Sequence, residues 1–132
     1  NWFGFDDAIY SALRCLQEIE SSKKDLTYFL NTLPVSFSSP EIRIECKEEE
    51  KSKIIENIKA LALKNYDLSD LLLIDGIRAK TTIGWWLIRA SNTQAALIVC
   101  AESDTNENLK QLLNKVRNYL KLVGVKEISE KI

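Results

Sequence analysis

Between Arg89 and Thr93, five residues supply a guanidinium, two hydroxyls and a carboxamide, together with the backbone N–H groups of a turn. Such a set can hold a dianionic phosphate. Arg89 offers a planar bidentate fork, Ser91 and Thr93 donate to the remaining oxygens, and turn N–H groups can form an anion nest. The segment contains no base, nucleophile or metal ligand, so its chemistry is binding and not bond breaking. The competing reading is an ordinary polar loop in which Ser91 and Thr93 bond their own backbone. Composition alone leaves both readings open.

Other polar constellations are better explained by structure. Asp6-Asp7 stand at a helix start, where acids cap and complement the dipole. Asp75-Gly76 reads as a tight hairpin turn. Glu48-Glu49-Glu50, inside a run of charges from Lys47 to Lys53, has no Ca²⁺-loop pattern and reads as the solvated first turns of a helix. Trp85-Trp86 place one indole on each face of a strand, one for the core and one for a helix or domain contact. Cys15, Cys46 and Cys100 are odd in number and widely spaced, which predicts buried reduced thiols and neither a disulfide framework nor a metal knuckle.

Composition removes whole classes of chemistry. The 132 residues contain no His, which excludes a Ser-His pair and any His-containing metal site. Eighteen Lys and Arg face nineteen Asp and Glu, a net charge of −1 that gives no electrostatic case for nucleic acid. No apolar run approaches the roughly 20 residues needed to span a bilayer, so no membrane partner is expected. There is no Met, and the chain opens Asn1-Trp2-Phe3. The expectation is a processed chain or a piece of a longer one.

The elements that must carry the loop follow from periodicity. Asp6 is a good N-cap for a helix with Ile9, Leu13, Leu16 and Ile19 on one face, and Asp25 caps a second, shorter helix closed by Pro34. Val35 to Pro40 is short, Ser-rich and followed by strict alternation over Glu41–Cys46, which predicts a linker and then a half-buried strand. A helix with Ile54, Ile55, Ile58, Leu61 and Ala62 inward comes next. Leu71–Ile74 and Ile77–Lys80 then read as a hairpin, followed by strands at 84–89 and 95–102. The last helix begins at Asp104 or Thr105, carries Leu109, Leu112, Leu113, Val116, Leu120 and Val123, and stops at Gly124. The expectation is an α+β fold: a small, mainly antiparallel sheet of four or five strands with two helices on one face, in the order β-α-β-β-β-α. Two helices precede it whose apolar faces have no strands to cover, as if left over from an upstream α/β domain.

Several motifs together resemble the C-terminal part of the α-D-phosphohexomutases. They are Asp75-Gly76-Ile77-Arg78, Gly84-Trp85, Arg89-Ala90-Ser91-Asn92-Thr93 and the strand ending Ala101-Glu102. The branch they resemble is the bacterial phosphomannomutase/phosphoglucomutases, whose loop commonly reads Arg-Ala-Ser-Asn-Thr. The opening Trp2-Phe3-Gly4-Phe5-Asp6-Asp7-Ala8-Ile9-Tyr10 resembles part of the family's third domain, and Ser39-Pro40-Glu41-Ile42 its entry into the fourth. Gln94-Ala95 departs from the Glu-Pro or Thr-Pro of relatives, which puts the loop's rigidity in question.

The resemblance implies residues 1–38 as the end of the third domain with its linker, and residues 39–132 as a fourth domain of TBP-like fold. It implies a cytoplasmic enzyme that interconverts hexose 1-phosphate and 6-phosphate through a bisphosphorylated sugar. A phosphoserine and an aspartate loop holding Mg²⁺ lie in upstream domains of that family, outside this chain. By the same resemblance Arg89, Ser91, Asn92 and Thr93 bind the nonreacting phosphate of the phosphosugar, no catalytic or metal-binding residue is present, and the chain alone is inactive. A small regulatory ligand-binding module or an RNA-binding module of similar fold is the alternative.

Overall fold

A computed structural model describes residues 4–125; Asn1, Trp2 and Phe3 of the opening motif and residues 126–132 lie outside them. The chain divides into two compact units between Val35 and Ser36.

The first unit is two helices, α1 (Ala8–Ser22) and α2 (Leu26–Thr32). Asp7, not Asp6, caps α1, its carboxylate accepting from the Tyr10 N–H at 2.8 Å. Either of two adjacent acids satisfies the cap pattern, and only the helix register chooses between them. Asp25 caps α2 through the Tyr28 N–H as expected. Leu33 is already extended, as a residue before proline must be. Neither helix has a buried residue: Ile9, Leu13, Leu16, Leu26, Leu30 and Leu33 are all exposed. Cys15, expected to be buried, is exposed on α1.

The second unit is the α+β domain. Its strands are β1 (Phe37–Ser38), β2 (Ile42–Glu45), β3 (Leu71–Leu72), β4 (Ile77–Thr81), β5 (Gly84–Ala90) and β6 (Ala96–Ser103), with helices α3 (Lys51–Asn65) and α4 (Asn106–Leu122). Every pairing is antiparallel, and the lateral order is β1/β2, β6, β5, β4, β3. Among the described residues the sheet thus has six strands, against the four or five expected, in five lateral positions. β1 and β2 run one after the other along the same edge of β6, so the stretch expected as a linker contributes a strand. Between the pairs Ser38↔Glu102 and Ile42↔Val99 the edge advances four residues while β6 advances three. The extra residue falls at Pro40, which has no N–H to give to the ladder.

Alternation fixes the two faces. Ile42 and Ile44, Ile77 and Ala79, Trp86 and Ile88, and Leu97, Val99 and Ala101 point into one core. Ile54, Ile58 and Ala62 of α3 and Leu109, Leu112, Val116 and Leu120 of α4 cover that same face. Trp86 is fully buried, donating its indole N–H to the Tyr66 hydroxyl at 3.0 Å. Trp85 lies on the other face with the Arg78 guanidinium 4.4 Å above its ring, so the two indoles separate as alternation requires. Thr105 caps α4 through the Asn108 N–H. Asp104 instead accepts from the Asn108 side-chain amide and the Ser103 hydroxyl, which hold its carboxyl below the usual value.

The β3–β4 hairpin is wider than the dipeptide Asp75-Gly76 suggests. Leu72 pairs with Arg78, which leaves five residues, Leu73 to Ile77, between the last paired positions. Gly76 takes the left-handed conformation that such a loop needs (φ +77°). It also lies so close to β5 that a Cβ there would sit 2.2 Å from the Ile88 carbonyl oxygen. No helix among the described residues is long and apolar enough to cross a membrane.

Candidate functional site

The loop 91–95 joins β5 to β6. Arg89 stands near the end of β5 on the face away from the core, because its neighbours Trp86 and Ile88 set the inward phase. Its guanidinium is 3.8 Å from the Asp75 carboxylate at the neighbouring hairpin tip, with the two side chains 31% and 62% exposed. At that distance and exposure the pair orients Arg89 without neutralising it. Ser91 is buried, its N–H donating to the Ala96 carbonyl at 2.9 Å. Its hydroxyl oxygen accepts from the Thr93 N–H at 3.4 Å, the local bonding of an ordinary polar turn, which still leaves the hydroxyl proton to donate. Asn92 and Thr93 are exposed at the tip, and their side chains make no hydrogen bond among the described residues. The four residues singled out in the sequence thus lie together on one strand end and its loop.

Some backbone groups of the loop are paired and others are not. The Cys46 N–H donates to the Ala95 carbonyl at 3.1 Å, and the Ala96 N–H to the Gln94 carbonyl at 2.8 Å. By contrast the N–H groups of Asn92, Gln94 and Ala95 have no partner among the described residues. Unpaired backbone donors beside a guanidinium suit an anion. The Gln94 side-chain oxygen accepts from Arg43 of β2, and Arg43 also pairs with Glu41 at 2.7 Å.

Two residues of the site escaped the sequence. The sequence pattern marks Asp75 only as a turn residue. Lys51, taken as part of a solvated charge run, is 6% exposed and donates to the carbonyls of Ser91 (2.7 Å) and Gln94 (3.0 Å) while pairing with Glu48 at 2.7 Å. The signal was present: Lys51 stands three residues before Ile54 and seven before Ile58, on the inward face of the helix.

A wide groove of about 1230 Å³ touches the loop only at Gln94 and Ala95; its walls mix Arg43, Lys47 and Lys53 with Glu45 and Glu50 and favour neither sign of charge. Burial pushes the Cys46 and Cys100 thiols up, away from the reactive thiolate. No group of three or more His, Cys, Asp or Glu among the described residues is placed to hold a metal ion.

Fold and loop define a class: a one-sheet α+β domain, helices on one face, presenting an N–H-rich loop with an arginine at a strand end. Residues 41–118 match the family model described as "Phosphoglucomutase/phosphomannomutase, C-terminal domain", and the chain belongs to this phosphohexomutase family. It is 38% identical over 122 residues to a phosphomannomutase/phosphoglucomutase of Pseudomonas aeruginosa, covering 92% of this chain and 26% of the relative. It is 36% identical over 117 residues to a phosphoglucomutase of Neisseria meningitidis, covering 88% and 25%. A crystal structure of a phosphoglucomutase/phosphomannomutase family protein from Burkholderia thailandensis superposes with a TM-score of 0.72 at 29% identity, covering 95% of this chain and 26% of that one. The chain thus spans about a quarter of the length of these relatives.

Proposed function

We propose that this chain works as the C-terminal part of a cytoplasmic phosphomannomutase/phosphoglucomutase. The whole protein would interconvert hexose 1-phosphate and hexose 6-phosphate through a bisphosphorylated sugar. In this reading residues 1–38 complete its third domain and linker, and residues 39–132 form the fourth. Arg89, Ser91, Asn92 and Thr93 bind the phosphate that is not reacting. Phosphoryl transfer and the Mg²⁺ that supports it belong to upstream domains of the same protein, and these residues alone are inactive.

The observation that carries the reading is that the N–H groups of Asn92, Gln94 and Ala95 have no partner among the described residues, in a loop that follows Arg89 in the chain and holds no base. An RNA-binding role is less well supported. On the open sheet face Trp85 is stacked under Arg78, and Glu41 and Glu102 interrupt the cations.

Arg89→Ala in the full-length enzyme tests the proposal. A charge-assisted hydrogen bond is worth about 1.5–3 kcal/mol, or roughly ten- to a hundredfold in affinity. The expected result is a KM for hexose phosphate raised by that factor. Unchanged steady-state constants in the folded variant would rule out phosphate binding at this loop.

A further inference from the structure

Lys51 breaks an ordinary rule of charge placement. It is the only buried charged side chain among the described residues, and it opens α3, where the positive end of the helix dipole disfavours a cation. Yet its ammonium is fully satisfied. An ammonium has three protons, and three acceptors surround it: the Glu48 carboxylate and the carbonyl oxygens of Ser91 and Gln94.

Those two carbonyls have a geometric consequence. No peptide bond among the described residues is cis, and in a planar trans peptide the C=O and the following N–H point in opposite directions. Drawing the Ser91 oxygen inward to Lys51 therefore turns the Asn92 N–H outward. Drawing the Gln94 oxygen inward turns the Ala95 N–H outward. These are two of the three loop donors that have no partner among the described residues.

We infer that Lys51 is a positioning residue that aims the loop's backbone donors at a phosphate by holding the Ser91 and Gln94 carbonyls from behind. The inference rests on the phosphate-binding reading given above. It also answers the departure at Gln94-Ala95. A proline at position 95 would stiffen the loop but would carry no N–H; here Lys51 restrains the segment from below, and Ala95 keeps a donor.

The test compares Lys51→Met and Lys51→Gln with Arg89→Ala in the full-length enzyme, using glucose 1-phosphate and mannose 1-phosphate as substrates. A donor array that grips the phosphate equally before and during reaction contributes uniform binding. Either Lys51 variant should therefore raise KM at least tenfold with kcat within threefold. Hydrogen exchange at the Ser91, Ala96 and Cys46 amides, whose bonds close the loop, should accelerate at least tenfold while α4 keeps its protection. KM within twofold in a folded Lys51 variant, with Arg89→Ala still raising it tenfold, overturns the role of Lys51 and leaves the phosphate loop standing. No change in KM in any of the three variants removes both. Loss of the fold in both Lys51 variants, or exchange accelerated uniformly, assigns Lys51 to the fold alone and also overturns the inference.

Discussion

Replacing Gly76 by Ala should destabilise the α+β unit through two separable causes. The first is conformational: φ at Gly76 is +77°, and an L residue held in the left-handed region costs about 1–2 kcal/mol. The second is steric. A Cβ at position 76 would stand 2.2 Å from the Ile88 oxygen and 2.6 Å from the Arg89 Cα, both backbone atoms of β5. The hairpin tip must then retreat by roughly 1 Å, and overpacking of this kind adds about 1–3 kcal/mol. Gly124 supplies the control. It closes α4 in a Schellman motif, with the Val125 N–H on the Leu120 carbonyl and its own N–H on that of Lys121. Its φ is +85°, but nothing among the described residues lies within 4 Å of a Cβ there. Gly124→Ala should therefore cost only the conformational part, about 1–2 kcal/mol. Guanidinium unfolding followed by tryptophan fluorescence measures both, since Trp85 and Trp86 are on β5. A Gly76→Ala cost no larger than that of Gly124→Ala would refute the close approach of the hairpin tip to β5.

Two further outcomes follow from the α4 side of the core. Burial and the neighbouring Tyr66 push Tyr119 from 10 up to about 12. Its contribution to stability is complete below pH 10 and is lost as pH rises toward 12, because the unfolded chain releases a proton that the folded one keeps. Tyrosinate absorbance should show a late phase that Tyr119→Phe removes; its persistence in that variant would count against the assignment. Thr105→Ala should cost about 1 kcal/mol by removing the cap on the Asn108 N–H. A midpoint unchanged in urea would mean that Asp104 takes over the capping role.

The parts of the fold that periodicity reaches were legible. Alternation in Ile42–Glu45 told the inward side chains from the outward ones, in β5 it put the two indoles on opposite faces, and the 3.6-residue spacing of Leu109, Leu112, Val116 and Leu120 gave the buried face of α4. Tyr119 was missed there because a tyrosine enters a core only when something meets its hydroxyl, and its partner Tyr66 lies 53 residues away. The division of the first strand at Pro40 and the five-residue connection between β3 and β4 depend on pairing register, which one strand's sequence does not contain. The loop was legible because its residue types are out of place between two apolar strands. The contacts that shape it were not: Lys51 and Asp75 reach it from α3 and from the neighbouring hairpin. Long-range polar contacts of this sort leave no periodic trace.

The ties on the loop also set its entropy. Lys51 anchors it to α3, Arg43 to β2 through Gln94, and the Cys46 N–H holds Ala95. Fixing one residue's backbone costs about 1–2 kcal/mol, and residues 91–95 meet that cost when the chain folds. An anion settling on this loop therefore keeps binding free energy that a slack loop would lose in becoming ordered. The same ties join the loop to α3 and β2 as one body.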